Sequence, residues 1–259
     1  MQKQIQESTP SPHRKIFLLR ATHQVAAAKA LLAKTGAAIQ VCPMIDFKAN
    51  PAELAKITPE LLAQVDLVIF TSQNAVRFFM EDYLAKNPSG MSLLASKHVL
   101  CVGPKTQQQL QRYGLTSDSV SQQAYSQEGL VATLGADLSN RSILLPLAEE
   151  ARDFLPDELQ KRGAKVHKFN IYSSYCPELT EPVLLQDKDI VLFTSSLIAK
   201  HFFASPFYKG QKIIAFCIGK QTYNNVLKVL QDSSRVFISS ESTMESLVHK
   251  VQSVLELAP

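Results

Sequence analysis

With 259 residues, 46% of them hydrophobic, the chain is long enough for two ordinary domains, each with its own core. The formal charge of +4 is spread along the chain and forms no dense basic stripe, which argues against a nucleic-acid binder and suits an anionic small molecule. No apolar run is long enough to span a bilayer. Residues 1–13 are polar, with Pro10 and Pro12, and read as a flexible leader without the apolar stretch of a signal peptide.

Lys15–Leu19 reads as a short apolar strand. Thr22–Lys34 is Ala-rich and helical in pattern, stopped by Gly36, and Ala37–Val41 is a second strand. Asn50–Val65 carries two helical turns started by Pro51 and Pro59. Leu67–Phe70 is continuous, short and apolar, as a strand buried on both faces requires. A helix is expected over Gln73–Ala85, then a turn at Asn87-Pro88-Ser89-Gly90. Val99–Val102 is a strand, Pro104–Tyr113 a helix ending at Gly114, Gln127–Leu134 a helix and Ser142–Leu145 a strand. Glu149–Lys161 reads as a helix stopped by Gly163. Val166–Ser173 alternates apolar and polar residues like a strand with one wet face. The last helix is expected to start at Ser242, with Ser242 and Glu245 forming a capping box.

The chain repeats itself. Asp66–Met80 reads DLVIFTSQNAVRFFM and Asp189–Phe203 reads DIVLFTSSLIAKHFF, and each is followed by a second apolar run and a Gly-x-x-Thr turn. A repeat of this length is a domain-sized unit rather than a solenoid repeat. Strands alternate with helices throughout, so the expected class is α/β: two similar three-layer domains with parallel sheets. The first strand–helix pair lies outside the first copy, and the simplest topology returns it to the second. Domain one is then 14–40 plus 176–259 and domain two 46–166. A two-stranded linker (38–47 and 165–175) joins them, and the site lies between the halves.

The repeated motifs carry the chemistry. Thr71-Ser72 and Thr194-Ser195 each end a strand and begin a helix, where Ser is a preferred N-cap. Gly103-Pro104-Lys105-Thr106 and Gly219-Lys220-Gln221-Thr222 do the same after the next strand. Any one of these corners alone is ordinary capping. Four of them, beyond the carboxyl ends of parallel strands, suggest backbone amides and hydroxyls that hold an anion. Neither the P-loop nor the dinucleotide pattern is present. Cys42, Cys101, Cys176 and Cys217 form no C-x-x-C pair, which fits a reducing compartment. The six histidines show no H-x-x-x-H spacing, so no metal site is expected.

In this order and spacing, FTSxNAV at Phe70–Val76, VGPxT at Val102–Thr106, SxEGL at Ser126–Leu130, ARDxLPxxLxxxGAxVxxxxIY at Ala151–Tyr172, FTSS at Phe193–Ser196 and IGxxT at Ile218–Thr222 resemble the uroporphyrinogen-III synthase (HemD) family, from about Lys15 to Leu257. The resemblance implies two HemD-like domains with the active site in the cleft between them. It implies hydroxymethylbilane, a linear tetrapyrrole with eight carboxylates, as substrate. The product is uroporphyrinogen III, formed with loss of water and inversion of ring D through a spiro intermediate, without metal or organic cofactor. Carried over residue by residue, Tyr172 becomes the catalytic candidate, a hydrogen-bond donor to the leaving hydroxyl. Substrate binding falls to Arg20, Thr71, Ser72, Gly103, Lys105, Thr106, Arg152, Thr194, Ser195, Gly219 and Thr222. The chain departs from the family pattern at Arg20-Ala21, where Arg-Pro is usual, at Lys220, where proline is usual, and after Leu145, where a glycine is often found. A cytoplasmic monomer is expected, with no nucleic-acid or membrane partner and a transient contact to the preceding pathway enzyme left open. The competing reading is a non-catalytic two-domain protein that binds or senses a small anion. A receptor of that type normally carries a secretion signal, and a response regulator needs an Asp at a strand end; here Asp66 and Asp189 sit at strand starts.

Overall fold

The computed structural model describes residues 14–120 and 126–256, so the leader at 1–13 lies outside the described residues. In chain order its strands are β1 (Ile16–Leu18), β2 (Ile39–Val41), β3 (Asp46–Ala49), β4 (Leu67–Phe70), β5 (His98–Cys101), β6 (Ser119–Val120), β7 (Ser142–Ala148), β8 (Lys165–Tyr175), β9 (Ile190–Phe193), β10 (Ile214–Cys217) and β11 (Val236–Ile238). The chain divides into two compact units. One is Phe47–Ser174, and the other runs up to Asp46 and resumes at Tyr175. Residues 165–175, expected as a linker crossing, form β8, which pairs with β7 from Ser142↔Lys165 to Ala148↔Tyr172; the strand lies in the first of these units up to Ser174 and passes into the other at Tyr175.

Each unit is built on one sheet, and the two sheets share a plan. The sheet of the discontinuous unit has the order β11-β10-β9-β1-β2, with every pairing parallel. The other has the order β3-β8-β7-β4-β5-β6, parallel from β8 to β6. The sequence copies are β4–β5 and β9–β10. Their neighbours also correspond: β7 and β8 stand beside β4 as β1 and β2 stand beside β9. The likeness therefore extends past the segments where it can be read in the sequence.

Covered faces explain the apolar runs. Val68 and Phe70 of β4 enter one core cluster while Leu67 and Ile69 enter the cluster on the opposite face. Val191 and Phe193 of β9 likewise face away from Ile190 and Leu192. Each such side chain contributes roughly 1.5–3 kcal/mol when fully buried, so two-faced burial is what makes these strands uniformly apolar.

Several elements differ from the sequence reading, each for a local reason. The strand at Ser142 does not stop at Leu145 but continues through Pro146 to Ala148. Its pairing with β4 is confined to Ile143 and Leu144, so Pro146 sits where only the β8 side needs hydrogen bonds. The following helix consequently starts at Phe154, not Glu149. The helix from Gln73 is α-helical only to Phe78 and then widens to a π-helix over Phe79–Leu84. The expected turn at 87–90 is brief and opens directly into a helix, Ser89–Ala95. Gly90 lies inside that helix, where a Cβ would come within 2.6 Å of the end of the Leu84 side chain. The Thr22–Lys34 helix is regular only over Val25–Leu32, with a 3-10 turn at each end. The last helix starts at Met244. Its cap is Thr243, whose hydroxyl accepts from the Ser246 N–H at 3.1 Å, so Ser242 and Glu245 form no capping box.

Candidate functional site

The repeated corners have the same geometry in both units. Ser72 is the extended N-cap of Gln73–Phe78, and its Oγ accepts from the Ala75 N–H at 3.0 Å. Ser195 caps Ser196–Phe203 and accepts from the Ile198 N–H at 3.2 Å. On the neighbouring strand, Gly103 and Gly219 are the extended caps of Pro104–Gln111 and Lys220–Leu230. The Val102 N–H donates to the Phe70 carbonyl at 3.1 Å, and the Ile218 N–H donates to the Phe193 carbonyl at 3.0 Å. These bonds hold Thr71-Ser72 beside Gly103 in one unit and Thr194-Ser195 beside Gly219 in the other. All lie beyond the carboxyl ends of parallel strands, where helix N-termini offer free N–H groups to an anion. Thr71 and Thr194 are half-buried at these strand ends. Thr106 and Thr222, each in the first turn of its helix, are both 5% exposed.

Tyr172 is placed by an irregularity in the sheet. Along β7 and β8 the register runs to Leu147↔Asn170 and then jumps to Ala148↔Tyr172, skipping Ile171. In a regular strand consecutive side chains point to opposite faces. Here Ile171 and Tyr172 both enter the same core cluster, because the extra residue turns the strand between them. Tyr172 is consequently not the wet-edged tyrosine that strict alternation predicts, but 5% exposed. Its ring stacks on Phe78 at 5.0 Å and 15°, and meets the edge of Phe47 at 6.0 Å. Its hydroxyl lies 2.9 Å from Ser72 Oγ. Burial pushes the phenol above its ordinary pKa of 10; the Ser72 bond opposes this, Glu150 adds to the rise and Arg77 counters it.

The candidates thus fall into two groups. Ser72 and Tyr172, a hundred residues apart in sequence, are brought into direct contact. The basic candidates are not poised in the same way. Arg152 precedes its helix, its side chain is 64% exposed, and it pairs with Glu128 at 3.0 Å. Arg20, just past the end of β1, donates from Nε to Gln24 at 2.9 Å; burial lowers its pKa and Glu245 raises it. Lys105 and Lys220 are exposed at their helix starts. A residue the sequence did not single out is Arg77, whose guanidinium carbon stands 4.1 Å over the Phe78 ring and whose Nε is buried without a hydrogen-bond partner among the described residues. Its place next to Phe78 in the first copy was the only available signal. Among the described residues there is no group of three or more His, Cys, Asp or Glu side chains arranged to hold a metal ion. No helix among them is long and apolar enough to cross a membrane.

The model of the uroporphyrinogen-III synthase HemD family matches residues 26–249, a span that includes both repeats and Tyr172. The chain belongs to the HemD family. A protein of Methanothermobacter thermautotrophicus, provisionally named as a uroporphyrinogen-III synthase, is 32% identical over 192 residues, covering 71% of this chain and 74% of that protein. A uroporphyrinogen-III synthase of Chlorobaculum parvum is 23% identical over 198 residues, covering 73% of this chain and 77% of its own length. Two solved structures share the fold. The Helicobacter pylori uroporphyrinogen-III synthetase superposes with a TM-score of 0.65 at 20% identity, over 93% of this chain and 99% of that one. A mutant Thermus thermophilus uroporphyrinogen III synthase superposes with a TM-score of 0.60 at 18% identity, over 95% and 100%. Within the HemD family pattern, the strand-end corners of this chain are the segments its two halves have in common.

Proposed function

We propose that this HemD-family chain cyclises hydroxymethylbilane to uroporphyrinogen III. It is a cyclising hydro-lyase of haem biosynthesis. The family match across residues 26–249 carries the reading. The paired helix starts support it physically, because a substrate with eight carboxylates needs many anion-binding groups, and backbone amides supply them without a metal.

In the reaction the electron pair of a pyrrole nitrogen expels the hydroxyl, the C–O bond breaks, and water leaves. The resulting cation closes readily in solution to the unrearranged isomer. The enzyme's main task is therefore to hold rings A and D so that attack falls on the substituted carbon of ring D and passes through a spiro intermediate. Orientation of this kind contributes roughly 7–11 kcal/mol in favourable cases. Tyr172 is the donor to the departing hydroxyl. Thr71, Ser72, Gly103 and Thr106 in one unit, with Thr194, Ser195, Gly219 and Thr222 in the other, receive carboxylates. Arg20, Lys105, Arg152 and Lys220 supply cations, Arg152 after release from Glu128.

The test is incubation with freshly made hydroxymethylbilane, followed by oxidation and separation of the porphyrin isomers. Uroporphyrin III as the main product supports the reading. The unrearranged isomer alone, at the rate seen in buffer, refutes it and leaves a protein that binds small anions without chemistry.

A further inference from the structure

The contact between Ser72 and Tyr172 is not a by-product of helix capping. Ser195 makes the equivalent cap in the other unit, to the Ile198 N–H at 3.2 Å, yet among the described residues its hydroxyl meets no tyrosine. Ser72 adds to its cap a 2.9 Å bond to the Tyr172 hydroxyl. That bond requires the skipped residue Ile171, which turns Tyr172 onto the face where Ser72 waits.

Either hydroxyl can donate in this bond, and counting protons shows which one each direction leaves free. A serine hydroxyl has one proton and two lone pairs. One lone pair of Ser72 Oγ is taken by the Ala75 N–H at 3.0 Å, which also fixes where the oxygen stands. If Tyr172 donated to Ser72, the phenol proton would be spent, and the Ser72 proton would have no acceptor among the described residues. If Ser72 donates to Tyr172, the proton left over is the phenol's, and it remains available to a ligand. The Tyr172 ring cannot swing to choose another partner, because Phe78 stacks on one face and Phe47 abuts it.

We infer that Ser72 is a positioning residue for Tyr172: its hydroxyl donates to the phenol oxygen and leaves the phenol proton directed at the departing hydroxyl of the substrate. The inference rests on the functional reading above and replaces a carboxylate-binding role for the Ser72 side chain. As the substrate C–O bond breaks, its electron pair leaves with the oxygen, which takes the phenol proton and departs as water. The negative charge then forming on Tyr172 Oη keeps the hydrogen bond from Ser72, which is stronger to a charged oxygen than to a neutral one. Tyr172 regains its proton when the last pyrrole ring sheds one to recover aromaticity, so the cycle closes without a co-reactant. Burial, the larger effect, raises the Tyr172 pKa, and the Ser72 bond opposes that rise by favouring the ionised phenol.

The experiment is a double-mutant cycle on hydroxymethylbilane turnover, with isomer analysis and a thermal melt for every variant. Ser72→Ala is expected to lower kcat roughly 10- to 100-fold, the range for a hydrogen bond to a charged group, with KM changed by less than about twofold, because the bond is equally present before and after substrate binds and strengthens only in the transition state. Ser72→Thr keeps both cap and hydroxyl and restores most of the rate. In a Tyr172→Phe background Ser72→Ala costs nothing further. Ser72→Gly, which disturbs a cap far less than Ala, reproduces the kcat loss if the Ala variant melts too low to assay. Equal losses from Ser72→Ala with and without Tyr172 would overturn the inference, as would a raised KM at unchanged kcat. In both cases an active wild type would leave the functional reading standing. A wild type that yields only the unrearranged isomer would overturn the functional reading and this inference together.

Discussion

Tyr172→Phe separates structure from chemistry at the site. The substitution removes one hydroxyl and leaves the ring, so stacking on Phe78 and the edge contact with Phe47 survive. Ser72 keeps its bond to the Ala75 N–H, so its oxygen retains a partner. The stability cost is therefore that of a single hydrogen bond, about 0.5–1.5 kcal/mol. For a unit of this size that lowers the melting temperature by roughly 2–6 °C. The chemical cost is larger. Loss of a general acid slows turnover about 10²–10⁴-fold, and the bilane left unconverted closes to the unrearranged isomer. Differential scanning calorimetry and initial rates of uroporphyrinogen III formation measure the two costs on one protein sample. A variant that melts a few degrees lower and still turns over at the wild-type rate would remove Tyr172 from the reaction.

Other predictions concern the frame that holds the site. Gly163, just before β8, has φ +91°, and a Cβ there would stand 3.2 Å from Ser139 N and 3.3 Å from Ser139 Cα, whereas Gly114 has φ +75° with open space around it. Both alanine substitutions incur the left-handed cost of about 1–2 kcal/mol, but Gly163→Ala adds the clash, so urea denaturation should find it the more destabilised; equal midpoints would contradict the geometry. Thr243→Ala should cost about 1 kcal/mol as a lost helix cap while Ser242→Ala leaves the melting curve in place, and the reverse order would return the cap to Ser242. His167, bonded to Ser142 Oγ at 3.1 Å, has its pKa lowered from 6.5 first by burial and then by Lys165. The unfolded chain therefore binds its proton more readily, so this group's contribution is fully present above pH 6.5 and declines as pH falls below it. His167→Gln should flatten that part of the stability–pH curve, and an unchanged slope would assign it to other groups.

What the sequence made legible was what local chemistry decides. Thr71-Ser72 and Thr194-Ser195 announce strand end and helix cap together, and the apolar runs around them mark strands covered on both faces. The two short helices started by Pro51 and Pro59 form as expected, and the structure adds Asn50 and Thr58 as their caps. What stayed hidden depends on partners far away in the chain. The skipped Ile171 is a property of the β7–β8 register, so alternation alone gives Tyr172 the wrong face. Pro146 reads as a strand end unless one knows that its β4-facing side needs no hydrogen bond. Helix Ser89–Ala95 was masked by a Pro-Ser-Gly sequence, and its Gly90 serves close packing against Leu84 rather than a turn. Arg152 matches the family position, but its pairing with Glu128 is made only when the chain folds.

The account stands or falls on whether this chain steers ring closure. The most direct measurement is the fraction of type III isomer formed from a fixed amount of hydroxymethylbilane as the protein concentration is raised. The account predicts a fraction that climbs towards complete conversion to type III while the bilane disappears faster than in buffer. A fraction that stays at the buffer value at every protein concentration would contradict it.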